Sequence, residues 1–374
     1  MKRIRLLVAV VGGLLAGGSH VLCAQPVDSL DLKIGQMIMV GFRGLTAEAA
    51  APALADVERG VGGVILFDYD VERKSPVRNI ENPAQLRTLT RAFEAAARRS
   101  PSRLPLLVAI DQEGGRVNRL KPKNGFPPTV TQEELGRMNV PDSTRAHAAR
   151  TGATLASLGI NLNFAPVVDV NVNPANPVIG KLGRSFSADP ARVAVHAVAA
   201  VEGYRSQGVL TAVKHFPGHG SSTGDSHEGF VDVTTTWSRA ELVPFARLIA
   251  SGHCDMVMTA HIFNSKLDAR YPATLSRAVI GMLRDSLGWQ GVVVSDDLQM
   301  RAITDHYGFE EAVALALDAG VDLLLMGNNA GAYDGEAAVR IARTVKGLVR
   351  SGKVTEARID ASYRRIVALK QRLY

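Results

Sequence analysis

Cysteine is nearly absent from this chain of 374 residues: only Cys23 and Cys254 occur. Cys23 falls in a leader expected to be removed, so no internal disulfide can form, and a large apolar core has to hold the fold. Cys254, inside an apolar strand-like run, reads as a packed residue rather than a nucleophile. Long apolar runs are missing too. Beyond the first segment nothing approaches the ~18 residues that a membrane span requires. Blocks of like charge are also missing. Against 36 acidic residues there are 43 Lys and Arg, and the excess is scattered, with no basic block interleaved with aromatics. That excludes an electrostatic footprint for nucleic acid. No linker and no internal repeat is visible.

What is present begins with the leader. Lys2, Arg3 and Arg5 precede an apolar run from Leu6 to Gly18, followed by Val21, Leu22, Cys23 and Ala24. A basic start, a short apolar stretch and a small-residue exit read as a secretory signal peptide over residues 1–24, leaving 25–374 as the mature domain and placing it outside the cytoplasm, periplasmic or secreted. Its removal leaves 40 basic and 36 acidic residues, a net charge of +4. Cys23 also raises lipidation, which Ser19-His20-Val21-Leu22 fits poorly because small residues are wanted before a lipoprotein cysteine.

Short apolar runs then alternate with amphipathic ones. Strands are predicted at Gln36–Phe42, Gly63–Phe67, Leu106–Asp111, Asn161–Val170, Thr211–Phe216, Met256–His261, Val292–Asp296 and Val321–Met326, each nearly continuous in Val, Ile, Leu or Met, as where both faces are buried. Helices are predicted at Ala47–Arg59, Pro83–Arg99, Pro141–Leu158, Pro190–Gln207, Ser238–Ser251, Ser276–Leu287 and Phe309–Ala319, with Gly335–Ser351 and Glu356–Leu373 closing the chain. Pro83 and Pro190 suit a first helical turn, and Ser238 with Glu241 resembles a capping box. Eight βα units predict a (β/α)8 barrel of TIM type in one domain, with a doubly wound open sheet as the alternative. The 47 residues after Gly327 can form closing helices but no second domain.

Active sites of such barrels gather at the carboxyl ends of the strands. There the sequence places Asp111-Gln112-Glu113-Gly114-Gly115-Arg116, Asp169, Lys214-His215-Phe216-Pro217-Gly218-His219-Gly220, His261 and Ser295-Asp296-Asp297. Packing does not account for charges set directly after buried strands, because unpaired burial is costly. These segments, with Ala109-Ile110 before the first, Asp225-Ser226-His227, and Val294 through Met300, resemble glycoside hydrolase family 3, in its β-N-acetylglucosaminidase branch. The resemblance runs from Gly35 to about Gly327.

The resemblance implies a retaining β-N-acetylglucosaminidase with no cofactor and no metal. It implies Asp296 as nucleophile, and a carboxylate fixed at a strand end suits that attack. Asp297 is the rival, although alternation along a strand turns neighbouring side chains to opposite sides. His227, supported by Asp225, is implied as the acid/base, a task an imidazole titrating near neutrality can perform. Asp111 and Arg119 match positions that hold sugar hydroxyls, Lys214 and His215 match a hydroxyl-binding pair, and Arg184 matches an Arg beside the sugar. Arg116 reads instead as an ion-pair partner of a rim carboxylate. Gly218, Gly220 and Gly224 give the intervening loop freedom to move.

Three rivals remain. His215, His219, His227, His261 and Asp296 could surround zinc, although strand one supplies no ligand and Lys214 repels a cation. A carbohydrate binder without chemistry would have lost at least one of Asp296, His227 and Asp225. A phosphorylase is closer, since a histidine acid/base repels phosphate less than a carboxylate does. The aglycone is unassigned; cell-wall fragments and chitin-like oligosaccharides both suit an exported enzyme of this branch.

Overall fold

The computed structural model describes residues 29–374; the leader expected over residues 1–24, with Cys23, lies outside them. Eight strands form: β1 Ile38–Gly41, β2 Gly63–Leu66, β3 Leu107–Ile110, β4 Leu162–Asn163, β5 Leu210–Phe216, β6 Met256–Thr259, β7 Val292–Val294 and β8 Leu324–Met326. All neighbours are parallel, in the order β7-β6-β5-β4-β3-β2-β1-β8. A parallel bridge between Val294 and Leu323 brings β7 against the start of β8, and Ser295 Oγ accepts the Leu325 amide at 2.9 Å. The sheet therefore wraps into a barrel rather than ending in two edges. Every strand residue is buried. Helices outside and side chains inside cover both faces, which is why the runs read as continuous rather than alternating.

The strands stop where the rim residues begin, so most are shorter than predicted. β4 departs furthest: of Asn161–Val170 only Leu162–Asn163 pair as a ladder. Pro166 has no N–H to donate, and the chain rejoins β5 through a single bridge at Val167 to Lys214. Gln132 replaces the missing strand bonds, its side chain accepting the Val167 amide at 2.9 Å and donating to the Val167 carbonyl at 2.7 Å.

The helices Pro83–Arg99 and Phe309–Ala319 match their predicted bounds. The first opens on Asn82, whose side chain accepts the Gln85 amide at 2.9 Å, and it buries Leu86, Leu89 and Phe93 against the barrel. The capping box predicted at Ser238 does not form. Ser238 makes no side-chain cap, and the segment runs as a 3₁₀ turn, Arg239–Leu242, before the helix Val243–Ala250. Glu241 is occupied elsewhere. Three short helices were not predicted, Ser29–Gln36, Gln132–Met138 and Arg301–Thr304, although the second carries a Thr131-x-x-Glu134 capping pattern and Thr131 Oγ1 accepts the Glu134 amide at 3.0 Å. Among the described residues no helix is long and apolar enough to cross a membrane. Cys254 is buried just before β6, and burial pushes its thiol well up.

At the amino end of the barrel the last long helix, Glu356–Lys370, inserts Lys370 under β1 and β2. Its ammonium is fully buried and bonds Gln36 Oε1 at 2.6 Å and the Gly62 carbonyl at 2.8 Å. Among the described residues no carboxylate bonds it, and burial pushes its pKa down to about 7. Between that value and the ordinary lysine range the unfolded chain holds the extra proton, so this residue makes stability rise with pH across the window. Lys370→Met removes the contribution. The stability of Lys370→Met minus that of the parent, measured by denaturant titration, should therefore fall steadily from pH 7 to pH 10.

Candidate active site

The carboxyl ends of the strands enclose a cavity of about 380 Å³, and all eight residues singled out as site candidates line it: Asp111, Arg119, Arg184, Lys214, His215, Asp225, His227 and Asp296. Its floor is a buried charge network. Lys214 Nζ lies 2.6 Å from Asp111 and 2.7 Å from Glu113. Arg184 grips the same Glu113 with two bonds of 2.7 Å, and its third nitrogen reaches the Val178 carbonyl at 2.8 Å. Burial alone would raise the Glu113 carboxyl, but Arg184 and Lys214 outweigh it and hold the group far below the usual carboxylate range.

The ion pair expected at Arg116 forms elsewhere, and Arg184 keeps its place on the cavity wall. Arg184 is the one in an ion pair, while Arg116 is exposed and pairs with no carboxylate among the described residues. Neighbours in sequence gave Arg116 its apparent partner. The tight turn at Gly114 and Gly115, both at positive φ, aims it at solvent instead.

His215 is fixed from below. Asp169 accepts its Nδ1–H at 2.6 Å and the His219 amide at 2.7 Å, so one carboxylate sets both the ring and the start of the following loop. Arg184 approaches the other His215 nitrogen at 3.3 Å. Asp169 is fully buried, yet the two imidazoles keep its carboxyl low against the opposing effect of burial.

Asp296 and Asp297 both touch the cavity, but their surroundings differ. Asp297 is tied into the frame: Oδ1 accepts the Gln299 amide at 3.0 Å and the Gly327 amide at 2.9 Å, and its carbonyl lies 2.9 Å from His261 Nε2. Burial pushes its carboxyl up to about 6. Asp296 holds one backbone bond, from the Asp297 amide at 2.8 Å. Burial would raise it, but His261, His215 and His227 prevail and keep it ionised below the ordinary range.

Across the mouth, Asp225 Oδ1 accepts both the backbone amide and the ring Nδ1–H of His227 at 2.8 Å. The His227 side chain is 62% exposed, the most open polar group of the set. Desolvation lowers the imidazole, but the Asp225 bond and the negative charge of Asp296 raise it more, so His227 keeps its proton to higher pH than a free histidine.

Asp68, two residues past β2 and directly after the predicted strand end Phe67, was not singled out. It is buried, lies 3.6 Å from Arg119 and 2.5 Å from Lys121, and its Oδ1 has no hydrogen-bond partner within bonding geometry. The signal was available, because a carboxylate directly after a buried strand is the criterion that found the others. The four histidines do not share a focus. His219 has Ser222 Oγ and Ser226 Oγ at its two nitrogens, at 2.8 and 3.3 Å, and His261 has Thr274 Oγ1 and the Asp297 carbonyl. Among the described residues no three His, Cys, Asp or Glu groups are disposed to hold one metal ion.

A parallel barrel thus brings a carboxylate just past β7 and a His–Asp pair on the loop after β5 to one cavity, and the chain belongs to glycosyl hydrolase family 3, matching its N terminal domain over residues 29–369. Beta-hexosaminidase A of Pseudoalteromonas piscicida is 34% identical over 95% of this chain, which spans 63% of that protein's length. Among solved structures, a family 3 beta-N-acetylglucosaminidase from Paenibacillus sp. superposes with a TM-score of 0.83 at 40% identity, covering 92% of this chain and 62% of that one. A beta-N-acetylhexosaminidase from Beutenbergia cavernae superposes at 0.81 with 34% identity, covering 92% of this chain and the whole of the other.

Proposed function

We propose that the protein is an exported hydrolase that removes terminal β-linked N-acetylglucosamine with retention of configuration. The observation that carries this is the division of labour around one cavity. A carboxylate held below its ordinary range, Asp296, stands on one wall, a His227–Asp225 pair whose imidazole keeps its proton to higher pH than a free histidine stands at the mouth, and charged groups that can orient hydroxyls line the floor. Its similarity to proteins named beta-hexosaminidase and beta-N-acetylglucosaminidase supports the choice of sugar.

In the proposed reaction the sugar lies on Asp111, Arg119 and Lys214, with its anomeric carbon toward Asp296. The Asp296 carboxylate attacks that carbon as His227 gives its proton to the leaving oxygen, forming a glycosyl ester. Neutral His227 then takes a proton from water, which attacks the same carbon and frees Asp296. Asp225 steadies the imidazolium formed between turnovers, as a carboxylate does in hydrolase triads. Peptidoglycan fragments and chitin-like oligosaccharides are the substrate classes that fit an exported enzyme of this kind.

The test is a set of aryl β-glycosides followed by proton NMR. The N-acetylglucosaminide should be cleaved in preference to the glucoside and the xyloside, and the first sugar released should be the β anomer. An α anomer would overturn double displacement. Release of a sugar 1-phosphate when phosphate is added would make the protein a phosphorylase.

A further inference from the structure

We infer that Glu241 is a positioning residue for proton transfer: its carboxylate holds the foot of the loop that carries Asp225 and His227. The inference rests on the acid/base reading of His227 given above. Local sequence would assign Glu241 to a helix cap, and it caps nothing. Its Oε2 instead reaches back twenty residues to accept the amides of Gly220 at 3.0 Å and Ser221 at 3.3 Å. Both amides are buried, and the carboxylate is their hydrogen-bond acceptor.

The foot is gripped from two sides. The segment after β4 takes the carbonyl side: Asn176 Nδ2 donates to the His219 carbonyl at 2.8 Å, the Asn173 amide donates to the Gly220 carbonyl at 3.1 Å, and Asn173 Nδ2 donates to the Ser222 carbonyl at 2.9 Å. Glu241 takes the amide side. Glycine makes the fit possible. A Cβ on Gly218 would stand 2.6 Å from Glu241 Cβ, and one on Gly220 would stand 1.7 Å from the Val170 carbonyl oxygen. The chain is therefore sandwiched between Val170 and Glu241, four residues before Asp225 is reached from Ser221.

Glu241 serves here at a local cost. It is fully buried, its Oε1 has no partner, and burial pushes its carboxyl up to about 7. No Lys or Arg among the described residues pairs with it. Beyond the foot the next anchor is Ser226, whose carbonyl accepts the Ala302 amide at 3.2 Å and whose Oγ lies 3.3 Å from His219 Nε2, while Gly229 has open space around it. The placement of His227 over the cavity thus starts from the foot that Glu241 fixes.

The experiment compares Glu241→Ala, Glu241→Asp, Glu241→Gln and His227→Ala on two substrates, the dinitrophenyl β-N-acetylglucosaminide and the unactivated N,N′-diacetylchitobiose, with thermal melts on each variant. The dinitrophenolate leaves without a proton; the sugar does not. Glu241→Ala should lose on the order of 10- to 100-fold in kcat/KM on the disaccharide and little in glycosyl-enzyme formation from the activated substrate. Glu241→Asp, whose shorter stem withdraws the acceptor, shows the same pattern if the alanine variant does not fold. Glu241→Gln, whose carbonyl oxygen can take both amides, recovers most of the loss. Equal losses on both substrates, or no recovery with glutamine, would overturn the inference while a selective His227→Ala leaves the acid/base reading standing. A His227→Ala that shows no selectivity removes that reading, and this inference with it.

Discussion

Asp296→Asn is expected to eliminate turnover, by on the order of 10⁴-fold or more in kcat, while sugar binding and the melting temperature stay near those of the parent. The amide is nearly isosteric and can still accept the Asp297 backbone bond, but it cannot attack the anomeric carbon. Asp297→Asn is the informative control. Its oxygen can keep both the Gln299 and Gly327 amides, and its backbone carbonyl still meets His261. The frame therefore survives and the activity loss should be far smaller. Kinetics on both variants, with a melt on each, check the pair. A dead Asp297→Asn beside an active Asp296→Asn would reverse the roles.

The second large effect belongs to His227. Glycosyl-enzyme formation from a dinitrophenyl glycoside should be slowed little by His227→Ala, since that leaving group departs unaided. Cleavage of a sugar leaving group should fall by about 10²–10⁴-fold. Asp225→Asn should show a milder form, because the ring stays but loses the carboxylate that orients and charges it. The pH profile supplies an independent reading. The His227 proton is held above the ordinary histidine range, so the parent should lose activity on unactivated substrates as pH rises through that raised value, and His227→Ala should lack that alkaline limb. Uniform losses on both substrates would take His227 out of proton transfer. The search would then pass to Asp68 and the other rim carboxylates.

Much of this was readable before the structure, and the reason is physical. Strands buried on both faces must be apolar throughout, and charges at their carboxyl ends have no packing explanation, so the barrel and most of its rim stand out in one dimension. Helices with a proline first turn and a wide apolar face, such as Pro83–Arg99, carry their own boundaries. What failed was whatever depended on a distant partner. β4 lost most of its ladder to Pro166 and to Gln132, thirty-five residues from Val167. Arg116 has no carboxylate partner among the described residues; the ion pair on Glu113 belongs to Arg184, 71 residues away. Glu241 satisfied a local capping pattern and answered a loop instead.

The buried Lys370 beneath β1 and β2 has an implication for how such a chain can change. The groups facing the cavity stand at one end of the barrel, while Lys370, Asp255 with Arg205 and Arg372, and Asp322 with Arg284 and Arg365 sit at the other. Four residues of strand separate the two ends by roughly 13 Å, beyond the range over which substitutions usually interact. Alterations to the rim that cost stability can therefore be offset at the base without touching substrate. The barrel is a scaffold in which substrate preference and thermal robustness can be selected separately.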